Sequence, residues 1–370
     1  MKRIINSLNN RHVSAWLNKI VAPVRKSQKT LLPSQNSLIR EQLQILESRF
    51  QGALRFLKKT KITKSGRRFG LQHHPWYLLI GSIDSGKTTL LANSKINFIL
   101  EKQIYQNNAS ITSSESCDWW ITSDSVLIDV PGKYFTSKGK KNSSSSVFWQ
   151  YFLELIQKKR GKTALNGVII TLSLAEIMVM QEREQLLEDL KLRLNTLREK
   201  FGDDLPFYFT ITKCDLLPGF LDFFNDYSSE ELAQAWGITF PSSFTNESLT
   251  DTFITRFNAL IKRLNTHVIW RLHQERNPYA KFYIKDFPLQ LERLKEVIAE
   301  MIRVLSAEGT LHLKGVYLTS ATQPIVAEQV VSHPELMPAE ELQQSFQIMH
   351  TPHVSRYSYF VKQFILHGLA

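Results

Sequence analysis

The clearest chemical signal in the chain is the run Gly81-Ser82-Ile83-Asp84-Ser85-Gly86-Lys87-Thr88, which fits G-x-x-x-x-G-K-[ST]. Its chemistry is phosphate binding. Glycines let the backbone turn so that successive N–H groups face phosphate oxygens. A helix N-terminus adds partial positive charge. Lys87 is the residue that reaches the outer phosphates, and the Thr88 hydroxyl is a Mg²⁺ ligand. Gly81, Asp84, Ser85, Gly86, Lys87, Thr88 and Thr89 are therefore the candidate nucleotide-binding residues. The flanks supply the required context. Trp76 to Ile80 is an apolar run that predicts a buried strand, and Thr89-Leu90-Leu91-Ala92 begins a helix.

Four further groups extend the candidate site. An apolar strand ends in Asp129-Val130-Pro131-Gly132, where Asp129 suits a Mg²⁺ held through water and Gly132 an N–H that senses a γ-phosphate. A second strand ends in Thr212-Lys213-Cys214-Asp215, close to the Asn-Lys-x-Asp guanine-reading pattern. Asp215 would accept from the base and the Lys213 stem would pack along it. Thr212 offers one hydroxyl where Asn offers a carbonyl and an amide. A third strand ends in Ser320-Ala321, the expected last base-contacting loop. Thr112, Ser113 and Thr122 compete for the switch position, with Thr112 favoured. Lys133 stands where a water-orienting Gln is found in GTPases, and no residue is assigned as a catalytic base.

These groups need a scaffold of strands alternating with helices. Cys117 to Ile121 and Ser125 to Asp129 predict an antiparallel hairpin around Thr122-Ser123-Asp124. Trp119 and Trp120 alternate faces of its first strand and are read as packing residues. Val147 to Ile156 predicts a helix, Gly167 to Leu174 a strand covered on both faces, Glu182 to Lys200 an amphipathic helix, and Leu205 to Thr212 the next strand. The whole predicts an α/β fold, a P-loop, GTPase-like doubly wound sheet with a helical insertion and flanking helices. The expected organisation is a basic tail (1–37), an amphipathic helix and linker (38–70) and a GTPase-like core (71–219). A helical insertion (220–313), a last strand with the base loop (314–323) and a helical C-terminal extension (324–370) follow. Pro33 to Ser37 reads as linker and Lys58 to Gly70 as a polar connection. Gln103 to Ser116 suits a switch loop, and His73-His74 lacks partners at metal-ligand spacing.

The net charge of +12 is unevenly placed. Residues 1–70 hold sixteen Lys/Arg against two Asp/Glu, so the rest of the chain is slightly acidic. The basic character belongs to the N-terminal segment, which could meet an anionic membrane surface, with a moderately amphipathic stretch at Val13 to Ala22. Nucleic acid is not the expected partner. No run approaches the eighteen apolar residues of a membrane-spanning helix, and no cleavable signal opens the chain. Cys117 and Cys214 lie in apolar surroundings and are read as reduced core thiols.

In order, the stretches PWYLLIGSIDSGKTTLL, CDWWITSDSVLIDVPGKY, GVIITLSLAEI, PFYFTITKCDLLPGFLDFF, AWGITFP and LKGVYLTSATQ resemble the cytoplasmic domain of the IcmF/TssM family. The resemblance runs from about Leu38 to about Gln323 and on through Tyr357 to Gly368. Its most specific part is the CDWW hairpin joined to VLID-x-x-G-x-Y. These are inner-membrane components of type VI secretion systems and of the Dot/Icm type IV system. The resemblance implies a domain on the cytoplasmic face of the bacterial inner membrane, with a DotU/TssL-type partner and other secretion-complex components. It further implies binding of Mg²⁺ with GTP or ATP and slow hydrolysis that regulates assembly or effector export. Relatives carry a membrane anchor ahead of this domain and a long periplasmic part behind it. The chain reads as a piece of a longer protein, as a truncated or split gene product, or as a variant held at the membrane by its basic tail or a partner. Asp84 stands where the family usually has Gly, a carboxylate placed unfavourably near phosphates. That favours a second reading, a nucleotide-independent scaffold of the same complex. A soluble regulatory GTPase is the third.

Overall fold

The computed structural model describes residues 33–59, 61–64, 67–70, 74–99, 117–136, 144–161, 164–240, 249–307, 309, 311–321 and 358–368. Along the chain come α1 (Pro33–Lys59), β1 (Lys61–Lys64), β2 (Arg67–Gly70), β3 (Trp76–Ile80), α2 (Lys87–Ala92), β4 (Asp118–Ile121) and β5 (Val126–Asp129). Next are α3 (Ser144–Arg160), β6 (Gly167–Ser173), α4 (Leu174–Met178), α5 (Met180–Phe201), β7 (Phe207–Thr212), α6 (Phe220–Phe224) and α7 (Ser229–Leu232). The chain closes with β8 (Gly237–Thr239), α8 (Leu249–Gln274), α9 (Pro278–Ser306), β9 (Leu313–Leu318), β10 (Ser320–Ala321) and β11 (Ser358–Tyr359). They fall into two compact units, Met1–Tyr77 with Phe98–Leu165 and Leu78–Asn97 with Asn166–Ala370, the boundary lying inside β3.

In the first unit, α1 buries one stripe, Ile39, Leu43, Leu46, Phe50, Ala53 and Leu57, at the spacings of three and four that a helix requires. The helix starts at Pro33, so the expected linker at Pro33 to Ser37 is helix instead. Proline fits a first turn because the N–H it lacks would have no partner there. The polar connection also holds structure. β1 and β2 pair antiparallel, with Ile62 opposite Phe69. β4 and β5 form the expected hairpin, Asp118 opposite Asp129. The Val126 N–H donates to the Pro75 carbonyl at 2.9 Å. Both tryptophans are packing residues. Trp119 meets Phe50 and Trp76 edge-on, with ring centroids 5.3 and 5.2 Å apart, and Trp120 meets Phe98 at 4.9 Å. The Arg160 guanidinium covers Trp76 at 4.6 Å and donates to the His74 carbonyl at 3.1 Å.

The second unit is mixed α/β with a mostly parallel sheet. β7 lies between β6 and β9 and pairs parallel with both. β6 is fully buried along its length, as a strand covered on both faces must be. β8 pairs antiparallel with β9, Ile238 opposite Val316. The insertion expected to be helical therefore supplies an edge strand. Gly237 allows this, because an added Cβ would lie 2.2 Å from the Val316 carbonyl oxygen. α8 and α9 form a long hairpin, marked midway by Lys295 Nζ donating to Asn258 Oδ1 at 2.8 Å. The C-terminal extension is not purely helical. β11 pairs antiparallel with β10, Tyr359 opposite Ser320. Phe360, at φ 63°, sits among Phe220, Phe224 and Trp236.

Candidate functional site

The phosphate-loop candidates lie in the second unit, between β3 and α2. Asp84 and Gly86 both take left-handed backbone conformations, φ 58° and 84°. Gly86 does so at no steric cost, and Asp tolerates that region better than most residues. Gly81 is required for another reason. A Cβ there would lie 2.3 Å from Thr171 Oγ1 and 2.5 Å from the Thr171 carbonyl oxygen.

The buried Lys87 ammonium folds over its own loop. It donates to the Gly81 carbonyl at 3.0 Å, the Ser82 carbonyl at 2.7 Å and Ser85 Oγ at 3.1 Å. Thr171 Oγ1 donates to the Ile80 carbonyl at 3.0 Å, so the 3.0 Å contact between the two hydroxyls has Ser85 as donor. A directed chain runs from the Lys87 ammonium through Ser85 and Thr171 to the end of β3. From β7, Thr212 Oγ1 donates to the Ser85 carbonyl at 2.6 Å. The residue expected at the base thus tethers the loop after β3. Thr88 and Thr89 lie half-buried in the first turn of α2.

At the far end of β7, Lys213 is also left-handed, φ 59°. The Cys214 N–H donates to the Thr319 carbonyl at 3.1 Å, and Ser320 Oγ donates to Asp215 Oδ1. The structure therefore brings Thr212, Lys213, Asp215 and Ser320 together, with Ala321 next in the chain. Burial pushes the Asp215 carboxyl up from its ordinary range, and the Ser320 hydrogen bond and Lys213 oppose that shift.

One carboxylate escaped the sequence. Glu176, in α4, accepts from Ser82 Oγ at 2.6 Å. Burial raises its pKa; Ser82, Lys87 and Lys213 lower it, and Glu182 raises it further. Its stretch, SLAEI, has no catalytic pattern, and only the fold after β6 turns it toward the loop.

The remaining candidates belong to the first unit. Asp129 ends β5 fully buried, and Gly132 opens a 3₁₀ turn, Gly132–Tyr134. The Thr122 hydroxyl accepts from the N–H groups of Asp124 and Ser125, at 3.1 and 2.9 Å, and lies 3.2 Å from the Ser125 carbonyl. That engagement places Thr122 in the β4–β5 turn. Thr112, Ser113, His73 and the tail, 1–32, lie outside the described residues. Cys117 and Cys214 are buried free thiols, their pKa pushed up by burial. No helix among the described residues is long and apolar enough to cross a membrane.

Residues 142–368 match the family model of the IcmF-related N-terminal domain. The type VI secretion system component TssM1 of Pseudomonas aeruginosa is 33% identical over 292 residues, 76% of this chain and 26% of that protein. The chain thus spans about a quarter of the length of the curated relative it matches. Among solved structures, the signal recognition particle receptor SRb-GTP/SRX complex from Chaetomium thermophilum is 19% identical, covering 39% of this chain and 71% of that one. Its TM-score of 0.27 is too low to bear on the fold. On the family model and the 33% identity, this chain belongs to the IcmF-related family of secretion-system components, as its N-terminal domain.

Proposed function

We propose that this domain binds a Mg²⁺–nucleoside triphosphate at the loop after β3, and that occupancy regulates a bacterial secretion complex. The observation that carries this is the Lys87 cradle. A buried ammonium, held on two loop carbonyls and a hydroxyl, faces a loop with left-handed residues at Asp84 and Gly86. A phosphate beside that ammonium would accept charge-assisted hydrogen bonds, which are stronger than those to neutral carbonyls. Gly81 fits the same reading, since its missing Cβ leaves room for the hydroxyl chain behind the loop. Mg²⁺ would be held by Thr88 and would supply charge neutralisation at the phosphates. Lys213 and Asp215, with Ser320 holding the carboxylate, would read the base. Guanine suits that donor–acceptor set, and adenine is the alternative. Hydrolysis is slow in this reading, because Lys133 stands where GTPases place a water-orienting Gln. A DotU/TssL-type protein at the cytoplasmic face of the inner membrane is the proposed partner.

A scaffold that works without nucleotide is the second reading. Two observations favour it. Asp84 puts a carboxylate in the loop, and Thr212 spends its hydroxyl on Ser85 rather than on a base. Calorimetric titration with Mg²⁺–GTPγS and Mg²⁺–ATPγS, beside Lys87→Ala, separates the two. Micromolar binding lost in the variant is expected, with the preferred base reporting on Asp215. A folded protein that binds neither nucleotide would establish the scaffold.

A further inference from the structure

Five of the ten exposed large apolar side chains among the described residues lie on one motif, the α8–α9 hairpin, and all but Leu289 lie within six residues of its turn. Ile269 and Tyr279 are 65% exposed, Phe282 63%, Trp270 54% and Leu289 51%. The same two helices bury a regular stripe elsewhere, including Phe257, Leu260, Leu264, Phe287 and Leu291. The outward set is thus additional to what folding needs. Such a concentration of apolar surface marks an interaction site.

The charges show what kind. Lys262 and Arg263 precede these apolar residues, and Arg276, Lys281 and Lys285 alternate with them along the chain, against two carboxylates, Glu275 and Asp286. The centre of a protein–protein interface is depleted of charge. Aromatic rings interleaved with long basic side chains suit a lipid headgroup layer, where rings enter and ammonium groups reach back to phosphates.

The backbone is prepared for the same environment. The turn between the helices, 275–277, would enter a layer poor in water, where an unpaired N–H is costly. Glu275 Oε1 accepts from the N–H groups of Arg276 and Asn277, both at 2.7 Å. Asn277 Oδ1 caps α9 by accepting from the Tyr279 N–H at 2.9 Å, and Pro278 has no N–H to satisfy. The tip is also held in place. Arg271, buried in α8, donates to the Asp226 carboxylate, and to the Asp222 carbonyl at 2.8 Å.

We propose that the α8–α9 tip docks on an anionic lipid surface, with Ile269, Trp270, Tyr279 and Phe282 entering the headgroup layer and the surrounding Lys and Arg side chains binding lipid phosphates. The proposal is independent of nucleotide binding.

The test uses the full chain with vesicles of phosphatidylcholine alone or mixed with phosphatidylglycerol. The basic tail also attracts anionic vesicles, so the decisive readout is local. Vesicles carrying brominated acyl chains quench a tryptophan only when its ring enters the bilayer. Wild-type fluorescence is expected to be quenched by mixed brominated vesicles, and Trp270→Phe to lose that component. In raised salt, which screens the tail, Ile269→Ser with Trp270→Ser and Phe282→Ser is expected to lower partitioning about tenfold or more. These positions are exposed, so unchanged thermal unfolding will show that the variants fold. Quenching unaffected by Trp270→Phe, or partitioning retained in the triple variant, would overturn the proposal and leave the patch to a protein partner.

Discussion

A hydrogen bond from Thr212, at the end of β7, to Ser85 joins the loop after β3 to the start of the loop after β7, yet the two are built differently. The loop after β3 is mostly local. Its ammonium, hydroxyl and carbonyls come from Gly81 to Lys87, while Thr171 and Thr212 reach in from neighbouring strands and Glu176 from α4. The loop after β7 is assembled from distant parts of the chain. Asp215 depends on Ser320, and Ser320 in turn pairs with Tyr359. A loop of the first kind is specified by spacing. One of the second kind exists only when the fold brings its pieces together.

The sharpest way to break the phosphate end is Gly81→Ala. The added methyl would meet a hydroxyl and a backbone carbonyl, and a strand cannot easily yield. A loss of about 3 kcal/mol in urea unfolding is expected, at the upper end for overpacking. Thr212→Val tests the link between the ends. It keeps the shape and removes the donor to the Ser85 carbonyl, at a cost of about 1–3 kcal/mol. If the link matters for function, affinity for both triphosphates falls together. Equal stability in the variant would show that the tether carries nothing.

Ser320→Ala addresses the base end alone and has the smallest effect, about 1 kcal/mol near neutral pH. It removes a bond that favours the charged form of Asp215, so the raised pKa climbs further. A carboxyl whose pKa is raised by folding costs stability as pH rises through the window between its unfolded and folded values. The variant's deficit is therefore expected to be larger at neutral pH than below about pH 4, where Asp is protonated in both states. A pH-independent deficit would mean that Ser320 acts through packing.

The same contrast explains what could be read in advance. The turn between β3 and α2, the CDWW hairpin and the strands β6, β7 and β9 follow from contiguous patterns, and the structure has those elements there. α1 was longer than its apolar stripe indicated, because Pro33 punctuates a linker and opens a helix equally well. β8 was missed because Gly237-Ile238-Thr239 is too short to show a period. Glu176 was invisible for a deeper reason. Nothing in SLAEI distinguishes a surface carboxylate from one turned toward a lysine; only the hydrogen bond from Ser82 does. Thr212 reads as a base residue because its neighbours Lys213 and Asp215 fit that pattern, and only the structure shows its hydroxyl donating to the Ser85 carbonyl.

The pairing of β10 with β11 has a consequence in the language of linkage. Ser320 belongs at once to the strand that receives Tyr359 and to the hydrogen bond that holds Asp215. The segment that starts at Ser358 is fastened further by the Phe360 N–H on the Leu232 carbonyl, 2.6 Å, and the Gln363 N–H on the Ala233 carbonyl, 2.9 Å. If that shared residue couples the two, a ligand that favours the ordered Asp215 loop tightens this clasp by the same factor by which pairing of residues 358–368 tightens the ligand.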